Sequence, residues 1–325
     1  MTAEKKKTIL IIGVSSFIGS NLAEYFKHKY RVVGTYRENA VSIKGVLTVP
    51  CNVLEKDEIQ LVLFAFKPDI TIYCAGLSSL VDCAASEAKA DSLNTVGLFN
   101  VAEYCQRYKS QVVAISCGYV FGGENKEYQE MDIPDSSTIF GKTKASAEFY
   151  IQKTSLNYLI FRCCPLYGRG LNPYQMTLFE RIQRKFKRSE SMELDGYVYT
   201  GFLDVYYLAM LMDLCFDKGV TNRLYQVSSR DAMSFYQFAE IYCNVFGENN
   251  TLITRGRWPF PYVVTSTSNY SGGELYYRMS VKNIEGFLSV RLPTVEESLQ
   301  LTYKRLGGRD RSTRRQTSNS GVTFI

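Results

Sequence analysis

Seven residues near the start of the chain, Gly13-Val14-Ser15-Ser16-Phe17-Ile18-Gly19, have the composition and spacing of a phosphate-cradling loop. The first glycine permits a tight turn out of a strand, a small middle residue lets the backbone approach a pyrophosphate, and the last glycine lets helix and strand pack closely. The anion would rest on the amides that open the following helix. Ser16 holds the middle position, where its hydroxyl adds a donor near the phosphates. A dinucleotide is the ligand this strand-turn-helix context implies.

The second apolar run bears on which dinucleotide. An NAD site places an Asp or Glu there for the adenosine ribose. This sequence offers Gly34-Thr35-Tyr36-Arg37, with no carboxylate until Glu38. A guanidinium engages a 2′-phosphate in two-pronged fashion and stacks on adenine, so NADP fits better than NAD. The alternative for Arg37 is an exposed turn residue.

Other chemistries are excluded by what the chain lacks. Its single histidine, His28, sits between Lys27 and Lys29 and reads as a surface residue. Histidine-based nucleophilic catalysis would have to use it, and a multi-histidine metal site cannot be built, so no metal is expected. The nine cysteines include no C-x-x-C pair and total an odd number, the pattern of reduced, mostly buried thiols in a cytoplasmic protein.

These residues need elements to hold them. Short runs rich in β-branched or aromatic side chains, at 8–13, 31–36, 45–50, 70–75, 111–117 and 158–163, read as buried strands. Between them lie segments of helical period, including 17–30, 54–66 and 91–108. Strands alternating with helices predict an α/β fold, a Rossmann-type doubly wound parallel sheet. After Pro165 the rhythm changes, which predicts a smaller C-terminal substrate lobe. The expected organisation is a dinucleotide-binding domain over 1–166 and a substrate lobe over 167–308 with elements partly returning to the main sheet. The polar tail 309–325 is expected to fray.

The 325 residues are 46% hydrophobic and 22% charged, an ordinary globular balance. Net charge is +6, but the basic residues are dispersed apart from Lys5-Lys6-Lys7 and the stretch from Lys304 to Arg315, and neither is interleaved with stacking aromatics. No nucleic-acid partner is expected. The apolar run 8–13 is too short for a signal peptide, and no window approaches the roughly 18 apolar residues of a membrane span. A surplus of tyrosine, 24 residues, suits a polar ligand cleft or a subunit interface.

Further along, three stretches follow one another: 67–76 (KPDITIYCAG), Asn94-Thr95-Val96-Gly97, and 114–123 (AISCGYVFGG). With Tyr128-Gln129-Glu130-Met131-Asp132-Ile133-Pro134 and Phe140-Gly141-Lys142-Thr143-Lys144, they resemble the extended short-chain dehydrogenase/reductases. Within these the match is to the branch of dTDP-4-dehydrorhamnose reductase, which reads K-P-D-x-V-x-N-x-A, V-N-x-x-G, I-S-T-D-Y-V-F-D-G, Y-x-E-x-D-x-P and Y-G-x-[ST]-K. The resemblance spans about residues 8 to 170. It implies hydride transfer to or from C4 of a sugar carried on a nucleotide diphosphate. In that family the tyrosine is the acid/base, the lysine four residues on lowers its pKa and holds the nicotinamide ribose, and a Ser or Thr bonds the substrate oxygen.

Carried over residue by residue, Lys144 matches, Phe140 stands at the tyrosine position and Cys117 at the Ser/Thr position. A phenyl ring donates no proton and a thiol donates weakly. The resemblance also places Asn52 and Val53 against adenine, Ala75 and Gly76 along the ribose and phosphates, and Pro165 at the nicotinamide. Tyr119, Tyr167 and Arg169 would face substrate, with Asn172 and Tyr174 near its diphosphate, or else a polar turn. Three explanations of the altered pair stay open. Cys117, a water, Tyr119 or Tyr167 could supply the proton, with Lys144 tuning it. The chain could bind NADP without turnover as a regulatory or scaffold protein, the use to which the β subunit of methionine adenosyltransferase is put within this branch. Phe140 could be an engineered replacement, which the simultaneous change at Cys117 argues against. The expected partner is a nucleotide sugar, with a second copy of the chain or, in the regulatory case, another protein.

Overall fold

The computed structural model describes residues 6–155, 157–171, 176–258, 273–308 and 322–324. Seven parallel strands form the central sheet: β1 (Thr8–Ile12), β2 (Arg31–Tyr36), β3 (Leu47–Pro50), β4 (Ile70–Tyr73), β5 (Gln111–Cys117), β6 (Tyr158–Cys163) and β7 (Arg223–Val227). Their spatial order is β7-β6-β5-β4-β1-β2-β3, which reverses direction at β1. The doubly wound fold read from the sequence is therefore the one formed, and a switch point lies between β1 and β4.

Alternation along β1 shows how the sheet is covered. Ile9 and Ile11 point into one layer with Leu22 and Phe26 of α1 (Phe17–Phe26), whereas Leu10 and Ile12 point into the other with Ile59 and Leu63 of α2 (Lys56–Phe66). Side chains of period two with both faces apolar can only be buried between helices, which is why the run reads as continuous hydrophobic sequence.

Helical segments on the site side are more broken than periodicity suggested. The expected helix 91–108 is preceded by α3 (Leu80–Ala85) and α4 (Glu87–Asp91). It begins as a single π-turn over Ser92–Val96 and becomes regular only as α5 (Gly97–Tyr108). A π-turn inserts one extra residue into the helical repeat and rotates what precedes it. The helix α6 (Ile139–Thr154) is N-capped by Thr138, whose hydroxyl accepts from Gly141 N at 3.0 Å.

A buried ion pair fixes the segment leading into α6. Arg162 of β6 donates from Nε and Nη2 to the Glu148 carboxylate at 3.0 and 2.8 Å, and from Nη1 to Glu130 O at 3.2 Å. Its guanidinium lies 5.1 Å from the Phe121 ring, which stacks on Tyr128 at 4.1 Å.

Residues beyond 166 build a second core of stacked rings, including Phe179, Phe202, Phe238 and Tyr242. The chain also returns to the first body: β7 forms an edge of the main sheet, and α7 (Val205–Asp217) packs Leu208 and Met212 into the same layer as Phe26. In exchange, Glu127–Tyr128 pairs with Leu275–Met279 of the second lobe. The expected frayed tail ends in a short strand, Val322–Phe324, antiparallel to Val41–Ile43. Eight of the nine cysteines are buried, Cys74 is half-buried, and His28 is exposed. Among the described residues, no helix is long and apolar enough to cross a membrane.

Candidate functional site

The carboxyl ends of β1, β2 and β4 open onto a cleft of about 390 Å³ at the switch point. Its floor is the Gly13 loop. Gly13 N and Val14 N both donate to Thr35 O, at 3.0 and 2.7 Å, which turns the chain sharply off β1. Gly13 has φ +83°, and a Cβ there would lie 2.7 Å from Ala75 N. A Cβ on Gly19 would lie 2.3 Å from Gly13 O, so this glycine serves the close approach of helix to strand. Gly13 and Ser16 line the cleft, whereas Phe17, Ile18 and Gly19 do not. Ile18 packs on the core.

Ser16 departs from expectation. Its hydroxyl donates to Gly13 O at 2.8 Å and accepts from Gly19 N at 3.0 Å, so it is spent on capping α1 and is not offered to a phosphate. The anion-binding capacity of this end lies in the free first-turn amides and the dipole of α1.

One wall is Tyr36, Arg37, Glu38 and Asn39; Arg37 Nη2 lies 3.1 Å from the Glu38 carboxylate. The other wall is Cys74 to Leu77. Asn94, in the π-turn, pins it: Oδ1 accepts from Leu77 N at 2.9 Å, and Nδ2 donates to Leu77 O and to Thr143 Oγ1, both at 3.1 Å. Gly76 has φ +123°, and a Cβ there would sit 2.2 Å from Asn94 Oδ1. This organising role was not read from the sequence, where Asn94 figured only within a motif. Cys51, Val53 and Leu93 supply apolar surface at the adenosine end, and Lys89 stands at the same rim. Asn52 does not line the cleft. Its Oδ1 accepts from Leu54 N at 3.2 Å and its backbone N–H donates to the Glu58 carboxylate, so it shapes the loop.

The expected catalytic positions lie farther along the same sheet edge, at the ends of β5 and β6. Lys144 Nζ donates to Ile115 O at 2.9 Å and stands 5.9 Å from the centre of the Phe140 ring. Burial holds its pKa below the ordinary lysine value, against an opposing pull from the Cys117, Cys74, Cys83 and Cys163 thiols. Burial also pushes the Cys117 thiol up to about 12, despite the lowering effect of Lys144. Cys117 lies opposite Cys163 in the sheet register. Phe140 is buried, and its ring centre is 6.3 Å from that of Tyr119. Tyr119 also packs edge-on against Tyr277, and burial raises its pKa.

Tyr167 is not at this end. Its hydroxyl donates to Ser298 Oγ at 2.7 Å, its ring stacks on Phe179, and it is buried in the core of the second lobe. The short strand Leu166–Tyr167 pairs with Leu203–Asp204, and this pairing turns the tyrosine inward. Pro165 O accepts from Leu203 N at 3.3 Å within the same join. Arg169 is exposed, and its carbonyl accepts from Asn21 Nδ2 at 3.2 Å. Asn172 and Tyr174 lie outside the described residues.

A doubly wound sheet with a glycine-cornered cleft at its switch point, followed by a lysine-bearing helix, defines an α/β dinucleotide-binding protein of the extended dehydrogenase/reductase type. The RmlD substrate binding domain family model matches residues 7–305, and the chain belongs to that family. It is 24% identical to dTDP-4-dehydrorhamnose reductase of Aggregatibacter actinomycetemcomitans over 233 residues, covering 71% of this chain and 76% of that protein. It is 26% identical to methionine adenosyltransferase 2 subunit beta of Bos taurus over 182 residues, 54% of this chain and 53% of that protein. A crystal structure of dTDP-4-dehydrorhamnose reductase from Bacillus anthracis in complex with NADP has the same fold, with a TM-score of 0.77, 19% identity and coverage of 92% and 99% of the two chains.

Proposed function

We propose that this chain binds NADP(H) in the Gly13–Gly19 cleft as a regulatory or scaffold member of a family of nucleotide-sugar reductases and epimerases, without the hydride-transfer turnover of its relatives. The observation that carries the reading is the pair Phe140 and Cys117. Bound NADPH supplies a hydride, and reduction of a sugar ketone then needs a proton donor within hydrogen-bond reach of the forming alkoxide. Phe140 has no proton to give, and the Cys117 thiol is buried with its pKa raised to about 12. Tyr167 is committed to Ser298.

The cofactor half, by contrast, is intact. The free amides at the start of α1 would donate to the pyrophosphate, Val53 and Leu93 would flank the adenine, and Arg37 stands where a 2′-phosphate would lie. Lys144, held by Ile115 O, keeps further protons for the nicotinamide ribose. The NADP complex of the Bacillus anthracis reductase supports the choice of cofactor. The resemblance to a protein named as a subunit of another enzyme supports a role exerted through a partner, either a second protein or a second copy of this chain.

A second reading retains turnover, and one observation favours it. The Lys144 ammonium, its pKa lowered by burial, is the group at this end best placed to release a proton to the alkoxide of a nucleotide-linked 4-keto sugar, directly or through a water. The test is NADPH oxidation by purified protein with dTDP- and GDP-linked 4-keto-6-deoxy sugars, alongside nicotinamide fluorescence titration. Binding without oxidation supports the first reading, and oxidation abolished in Lys144→Ala supports the second. If Phe140→Tyr with Cys117→Thr gains no activity, the substrate pocket has diverged as well. Absence of dinucleotide binding sinks both.

A further inference from the structure

Two cations border the adenosine end of the cleft, and they come from opposite walls. Arg37 stands after β2 with its side chain half exposed, and the Glu38 carboxylate beside it cancels its charge. Lys89 reaches the same cleft from α4. Among the described residues its side chain has no hydrogen bond or ion pair. Lys89, in α4, and Leu93, in the π-turn that follows it, both line the cleft. Leu93 packs against the cluster that contains Val53, so Lys89 shares the cleft with the apolar slot suited to adenine.

Charge decides what this end prefers. With Glu38 paired to Arg37, that wall is close to neutral and discriminates weakly between a ribose hydroxyl and a phosphate. A 2′-phosphate brings between one and two negative charges, and an unpaired ammonium opposite makes the end net positive. We propose that Lys89 is the second cation of the 2′-phosphate site and sets the preference for NADP(H) over NAD(H). Lys89 suits the task because its compact charge sits on a flexible four-carbon stem and can reach from α4 without a fixed geometry. The proposal rests on the dinucleotide reading of the cleft and adds to it the residue that selects the phosphorylated form.

The experiment measures dissociation constants of the full chain for NADPH and NADH by nicotinamide fluorescence, and for adenosine 2′,5′-bisphosphate and AMP by calorimetry. It compares the wild type with Lys89→Gln and Glu38→Gln. Lys89→Gln is expected to weaken NADPH and the bisphosphate about five- to tenfold while leaving NADH and AMP within about twofold. The loss should shrink as salt is raised. Glu38→Gln is expected to tighten NADPH. Lys89 is exposed, so an unchanged melting temperature separates a binding effect from a folding one. Equal losses for phosphorylated and unphosphorylated ligands, no loss at all, or a wild-type preference for NADH would overturn the proposal and leave the dinucleotide reading standing. Failure of the wild type to bind any of the four overturns both.

Discussion

Lys144 carries an energetic conflict that a single substitution exposes. Its ammonium is buried beside four thiols, none of them an anion at neutral pH, and burial lowers its pKa from 10.5. The unfolded chain therefore binds more protons than the folded one between the lowered value and 10.5. The resulting destabilisation is fully present below the folded pKa and is released as pH rises towards the unfolded value. Lys144→Met, which keeps the aliphatic stem and removes the charge, should melt at or above the wild-type temperature at neutral pH, with the gap narrowing as pH rises towards 10.5. Calorimetric melts across that range check this, and a variant that melts lower throughout would refute it. The same variant should bind NADPH at least tenfold more weakly, since Lys144 is the proposed ribose anchor. Ser16 makes the opposite kind of case, because its hydroxyl closes a cap. Ser16→Ala should cost about 1 kcal/mol of stability by chemical denaturation and loosen the phosphate loop.

At the scale of elements, placement of α6 depends on a charge pair far from the cleft. Arg162 and Glu148 are both about 3% exposed, and the remaining Arg162 donor holds Glu130 in the segment that delivers Phe140 and Lys144. Glu148→Gln would leave a buried guanidinium without its counter-charge, so a loss of about 3–5 kcal/mol is expected. Replacing both residues by apolar ones of similar volume should recover most of it, and denaturant titrations of the single and double variants decide. This packing also shows what sequence can convey. The strands, the Gly13 loop and Lys144 were legible because period, glycine spacing and motif order are local properties. The π-turn at Ser92–Val96 was not, since a helix with one extra residue keeps its composition while rotating Asn94 onto Leu77. Nor was the fate of Tyr167, whose inward direction is set by pairing with Leu203–Asp204 some 40 positions away. Lys89 was missed for a similar reason: nothing in Glu87-Ala88-Lys89-Ala90 marks a ligand until the fold sets it across from Arg37.

The two lobes of the whole molecule share their cores to an extent that makes independent melting implausible. β7 completes the main sheet, α7 lies against α1, and Glu127–Tyr128 gives a strand to the second lobe. Breaking either lobe therefore exposes the other's apolar layer. A single calorimetric transition is expected, and a ligand that binds only the Gly13 cleft should shift all of it. At 100 times its dissociation constant NADPH would add about 2.7 kcal/mol, a rise of a few degrees for a chain of this size. Two separable transitions, with only one moved by NADPH, would show that β7 and α7 do not couple the lobes. A single shifted transition would show that β7 and α7 couple the unfolding of the two lobes, so that occupancy of the cleft stabilises both.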